Sequence, residues 1–187
     1  GIFGQRFDSS GTPLGTEFQV NTYTTGDQTR PQVAGDGAGG FIVVWQSSQD
    51  GWSDGIFGQR FDSAGAPVGT EFQANTYTIG PQRLSRLSSD SSGRFTVVWQ
   101  SEFQDGSSYG TFGRRFDSSG VPLGTEFQAN TYTTSAQQRP SLHANPAGDF
   151  IVTWSSDGQD GCGIGSDDGI IARRFAVATA TPTSPTN

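Results

Sequence analysis

Along this chain short apolar runs alternate with polar, glycine-rich stretches. The densest run appears three times: FIVVW from Phe41, FTVVW from Phe95 and FIVTW from Phe150. In an extended strand Phe41, Val43 and Trp45 fall on one side, and Ile42 and Val44 on the other. Both sides are aromatic or β-branched, so the pattern predicts a strand covered on both faces.

The positions around that run repeat with it. A polar loop leads to IFGQRFD, then come the turn residues DSSGTPLG, and TEFQVN follows. Asp8 to Gly15 suits a hairpin in which glycine takes any position of positive φ, while Pro13, unable to donate to a ladder, belongs in the connection. A longer link, TYTTGDQTR, leads to a short strand around PQVAG, and DGAGG turns back into FIVVW. Each unit thus predicts four strands. From the inside they are the one near Val33, Phe41 to Trp45, Ile56 to Phe61, and Glu71 to Asn75. No segment carries 3.6-residue apolar spacing over two turns, so no helix is predicted.

Phe41, Phe95 and Phe150 stand 54 and 55 residues apart, and Trp45, Trp99 and Trp154 keep the same step. So do Val33, Leu87 and Leu142, and Glu17, Glu71 and Glu126. One small twisted sheet cannot hide two apolar faces, whereas successive sheets packed face to face hide both. The expected fold is therefore all-β, with repeated four-stranded antiparallel sheets forming β-propeller-like blades. Residues 1–175 make up the repeat domain, with a partial blade at 1–22, blades at 28–78 and 82–133, and a partial blade at 138–175. Joining the two partial units would supply a third strand twice, at Ile2 to Phe7 and at Ile170 to Phe175. A closed propeller, an oligomeric ring and an open array all stay open. Residues 176–187, AVATATPTSPTN, read as a Thr/Pro-rich linker or tail.

Composition changes this picture in a few places. Hydrophobic content is only 32% and glycine numbers 27, which alone would admit disorder. The 14 Phe, 4 Trp and 4 Tyr are regularly spaced, however, and a bulky ring at a repeated interior position supplies the apolar area a core needs. The net charge of −7 and the lack of a basic stripe argue against a nucleic-acid partner, and leave room for cations. Cys162 is the one cysteine, so no intrachain disulfide forms. No apolar run is long enough for membrane insertion as a helix. The opening at Gly1, inside a repeated phrase, reads as a piece of a longer precursor.

Candidate chemistry gathers in the loops. QDG recurs at Gln49-Asp50-Gly51, Gln104-Asp105-Gly106 and Gln159-Asp160-Gly161, each time between the second and third strands. The last loop adds Asp157, Asp167 and Asp168. Carboxylates among glycines can wrap oxygen ligands around Ca2+, making Asp50, Asp105, Asp157, Asp160, Asp167 and Asp168 candidate metal ligands. Turn chemistry, in which Asp bonds the local backbone and Gly takes the awkward dihedral, fits the triplets as well. Trp45, Trp99 and Trp154 belong to the core. Trp52 and Tyr109, in or beside the QDG loops, are candidate ligand-binding rings. Arg6, Arg60, Arg115 and Arg174 recur in the third strand and are expected to bridge sheets or pair with the repeated glutamates. His143 and Cys162 lack counterparts in other repeats, and no catalytic motif is present, so no enzyme is expected.

The phrases GTEFQ[VA]NTYT, G[GR]F[IT]VVWQS, QDG and GIFGQRFD together resemble tandem repeats of very large bacterial secreted or cell-surface proteins, over residues 1 to about 175. That resemblance implies propeller-like modules associated with adhesion or with calcium, in an extracellular or cell-surface location. The function expected is an extracellular structural or adhesive module that associates with itself or with neighbouring repeats. The alternative is a calcium-dependent carbohydrate-binding module with glycans as partners, and a propeller hydrolase stands third.

Overall fold

The alternating strands build sheets that stack in chain order. The computed structural model describes residues 1–51, 53–159 and 168–176. A hairpin of β1 (Phe3–Gly4) and β2 (Phe18–Gln19) comes first. Two four-stranded antiparallel sheets follow. One holds β3 (Gln28–Gly35), β4 (Phe41–Ser47), β5 (Gly55–Phe61) and β6 (Pro67–Gln73). The other holds β7 (Gln82–Ser89), β8 (Phe95–Glu102), β9 (Tyr109–Phe116) and β10 (Phe127–Gln128). A three-stranded sheet of β11 (Gln137–Ala144), β12 (Phe150–Asp157) and β13 (Asp168–Phe175) ends the series. The protein is all-β, built of discrete blade-like sheets, and strands follow one another across each sheet.

Each sheet has a front, toward the preceding sheet, and a back, toward the following one. The fronts of β4, β8 and β12 carry Trp45, Trp99 and Trp154, all buried. The backs of β4 and β5 contribute Ile42, Val44 and Ile56, which pack on Phe95, Val97 and Trp99 of the next sheet. At the first interface Ile2 and Val20 meet Val43, Trp45 and Phe57. At the third, Val98 and Ala129 meet Phe150, Val152 and Trp154.

One aromatic arrangement closes every interface. Phe41 and Phe61 stack at 5.0 Å, Phe95 and Phe116 at 4.8 Å, and Phe150 and Phe175 at 4.7 Å. Onto each pair a ring from the preceding sheet leans at a tilt: Phe18, Phe72 and Phe127 respectively. These contacts each contribute about 0.5–1.5 kcal/mol beyond area burial. Glycine makes room for the leaning ring. A Cβ at Gly58 would stand 2.6 Å from Phe72 Cζ, one at Gly113 2.6 Å from Phe127 Cζ, and one at Gly4 2.9 Å from Phe18 Cζ.

The inner strands are longer than the PQVAG pattern suggests, because each contains a bulge. Pairing slips between Thr29 and Gln32, between Arg83 and Arg86, and between Gln138 and Ser141. Arg30, Leu84 and Arg139 take positive φ of 54°, 53° and 55° at these places. The preceding sheet secures two of them. Leu84 N–H donates to Gln46 Oε1 at 2.8 Å and Arg139 N–H to Gln100 Oε1 at 3.1 Å. The outermost strands also differ from expectation: β6 ends at Gln73, and β2 and β10 are two residues each.

Candidate functional site

The QDG loops are tied by their own carboxylates. Gly51 and Gly106 take φ of 88° and 87° and close tight turns onto Ser48 and Phe103. Asp50 Oδ2 accepts from Gln73 Nε2 of the outermost strand at 3.1 Å. Asp105 Oδ2 accepts from Gln128 Nε2 at 3.4 Å and Asn130 Nδ2 at 3.2 Å, and its Oδ1 accepts Ser107 N–H at 3.2 Å. The carboxylate thus fastens the loop between strands two and three to the fourth strand of the same sheet. The triplet glutamines join in. Gln104 Nε2 donates to Glu126 Oε2 at 2.7 Å, and Gln159 Oε1 accepts from Ser156 Oγ at 2.9 Å.

The acidic final loop springs from a pair of facing carboxylates. Asp157, the last residue of β12, stands directly opposite Asp168, the first of β13. Asp160, Cys162 and Asp167 lie outside the described residues, as does Trp52. Among the described residues no three His, Cys, Asp or Glu side chains gather into a group that could hold a metal ion. Tyr109 opens β9 opposite Glu102, half-buried. His143 is exposed on β11 opposite Ile151. It lines a shallow groove of about 230 Å3 with Asp149 and Arg174, where Arg174 Nη2 donates to Asp149 Oδ2 at 2.9 Å.

The repeated charges do bridge sheets, but not by pairing with each other. Arg6 reaches the carbonyl of Ala64 and Arg60 that of Ser119 at 2.8 Å, both in the turn of the following sheet. Glu71 reaches back to the N–H and hydroxyl of Thr22, and Glu126 to those of Thr76. In the hairpin turns Asp8 accepts Ser10 Oγ at 2.6 Å and Thr12 N–H at 2.8 Å. Asp117 does the same with Ser119 Oγ at 2.6 Å and Val121 N–H at 2.9 Å. The serine hydroxyl first, and then the backbone donors, hold both carboxyls below the usual aspartate range.

A buried polar junction that sequence reasoning passed over joins successive sheets. Asn21, Asn75 and Asn130 accept the N–H of Ile2, Ile56 and Thr111 at 2.6, 2.7 and 2.8 Å. Their amides donate forward to Gln28, Gln82 and Gln137, which open the inner strands of the next sheets. The signal was the fixed spacing of seven between Asn and Gln in all three links.

No protein-family model matches the chain, and no curated protein matches it. Among solved structures the chain is similar to the endo-arabinase from Bacteroides thetaiotaomicron VPI-5482, at 9% identity and a TM-score of 0.42. The match covers 94% of this chain and 55% of that one, so the chain spans about half of the enzyme's length. Nothing of the enzyme's chemistry passes to these residues at that level of likeness.

Proposed function

We propose that the chain is an extracellular structural and adhesive repeat module, of the kind found in large bacterial secreted or cell-surface proteins. One observation carries this reading: many of the residues that recur from unit to unit are used in contacts between sheets. The leaning phenylalanine, the Asn–Gln junction, the Glu–Thr link and the arginine that reaches the next turn all fasten one repeat to its neighbour. Such a stack holds its loops at regular intervals along one body, which suits a spacer that displays weak contacts many times over. The test is retention of chain-coated beads on bacterial and host-cell surfaces under flow. Retention that survives EDTA is expected. Turnover of a polysaccharide by the purified chain would overturn the reading.

The facing pair Asp157 and Asp168 favours a second reading, a calcium-dependent glycan-binding module. Two carboxylates opposite each other in a ladder offer oxygen donors of the kind Ca2+ takes. Glycan-array binding abolished by EDTA and restored by Ca2+ would select this reading over the first.

A further inference from the structure

Three buried indoles share an unmet donor. Trp45 and Trp99 are 0% exposed and Trp154 is 4% exposed, and the Nε1–H of each has no acceptor among the described residues. A single group of this kind can be an accident of packing. The same group unmet in three sheets, at one position of the repeat, is a property of the repeat. An indole nitrogen only donates, so what each tryptophan needs is an acceptor. Native interiors leave very few polar groups without a partner.

Strand register places each indole at the same irregularity. In the β7–β8 ladder Gln100 pairs with Arg83 and Val98 with Arg86, so Trp99 faces two residues, Leu84 and Ser85, instead of one. In the same way Trp45 faces Arg30 and Pro31, and Trp154 faces Arg139 and Pro140. A bulge leaves its extra residue outside the ladder, and the positive φ at Arg30, Leu84 and Arg139 marks the place in each sheet. The β7 bulge adds a second unmet group. Ser85 is 1% exposed, and its Oγ has no partner. A hydroxyl can both donate and accept, yet Ser85 Oγ and Trp99 Nε1, on the two sides of one bulge, are not bonded to each other.

We infer that each bulge holds one buried water molecule that accepts the indole N–H of Trp45, Trp99 or Trp154, and that the water beside Trp99 is held a second time by Ser85 Oγ. Water suits both requirements. It accepts from a group that can only donate, and its own hydrogens satisfy the hydroxyl oxygen. At Pro31 and Pro140 the side chain has no polar group and the backbone no N–H, so there the hydrogens of the water go to backbone carbonyls. The water at Trp99 is therefore the most firmly held of the three. The site also gives the bulge a second fastening. Leu84 and Arg139 are already secured through their N–H groups by Gln46 and Gln100 of the preceding sheet, and the water ties the same irregularity to the second strand of its own sheet.

The test is water-to-indole NOE spectroscopy on the full chain, with Trp45→Phe, Trp99→Phe and Trp154→Phe used one at a time to assign the signals. Each of the three Hε1 protons is expected to show an NOE to water of the sign that marks a molecule tumbling with the protein. Slow exchange of the same protons in D2O separates this contact from proton exchange. Ser85→Ala should weaken the Trp99 cross-peak about threefold or more and leave those of Trp45 and Trp154 unchanged. Three results would overturn the inference. One is a slowly exchanging Hε1 with no NOE to water. Another is an Hε1 shifted upfield by ring current, the mark of an N–H that donates to a phenylalanine face. The third is a Trp99 cross-peak that Ser85→Ala leaves at full strength, which removes the shared site. The first two are read on the unaltered fold, so they stand whether or not a variant folds.

Discussion

Asn75 and Gln82 meet inside the protein, 3.0 Å from amide to carbonyl, and through them the chain just past the last strand of one sheet is bonded to the first strand of the next. The Asn75 carbonyl also holds Ile56 N–H at 2.7 Å, and its amide donates to Tyr77 O at 2.9 Å. Sheet closure and sheet-to-sheet connection are thus set by the same carboxamide. Asn75→Ala is expected to lower stability by about 3 kcal/mol, since Ile56 N–H and Gln82 Oε1 lose this partner in a buried place. Urea denaturation measures it, and a loss below that of an exposed surface substitution would contradict the assignment.

Gly58→Ala is expected to cost about 1–3 kcal/mol, because the added methyl forces Phe72 off the Phe95–Phe116 pair. Ala172→Gly, the reverse change at the matching position of the last sheet, should cost less than about 1 kcal/mol. Thermal melts of the two variants side by side check the contrast.

Phe95→Ala removes one member of a stacked pair and the surface on which Phe72 rests. A loss of about 3–5 kcal/mol is expected. The near-ultraviolet circular dichroism of the aromatic core should weaken with it.

Gln46→Ala acts at a distance in sequence. Leu84 N–H, at the bulge of the next sheet, loses its acceptor. Its amide should exchange with solvent about tenfold faster or more, while amides of β12 keep their rates. Residue-resolved exchange by NMR reads both.

The two hairpin turns in which a serine hydroxyl bonds the aspartate give a pH dependence of known sign. The carboxyls of Asp8 and Asp117 have folded values below their unfolded ones, Ser10 and Ser119 being the first cause. Their stabilising contribution is fully present above the unfolded value of about 3.9 and is lost as pH falls through the lowered folded values. Carbon-13 titration of the two carboxyl groups should show both midpoints below the usual range. Ser10→Ala and Ser119→Ala should raise the midpoint of the neighbouring aspartate.

The two-sided strand was legible because both of its faces are chemically extreme: Phe41 to Trp45 can be read from side-chain alternation alone, and the structure buries β4 throughout its central residues. The bulges at Arg30, Leu84 and Arg139 were not legible, since arginine and leucine give no hint of positive φ and the carboxamide that secures the bulge lies about 40 residues away. Asn75 and Gln82 were hidden for a related reason. Polar residues in a link read as solvated, and only their recurrence at one spacing marks them as buried. Asp50 and Asp105 are tied to amides from the fourth strand, and a local reading of the loop could not reveal partners 23 residues away. Arg60 and Glu71 face each other across a hairpin on paper, yet each extends to a different sheet.

The methyl group of Ala172 bears on how such a chain can lengthen through its gene. A tandem duplication of the segment from Gln28 to Pro81 would set every new front against a back of matching shape, with the Asn–Gln junction renewed at each seam. The same segment appended after β13 would meet His143, Ser155 and Ala172 instead. Copying from within the stack therefore preserves the fit at every seam, whereas copying after β13 does not.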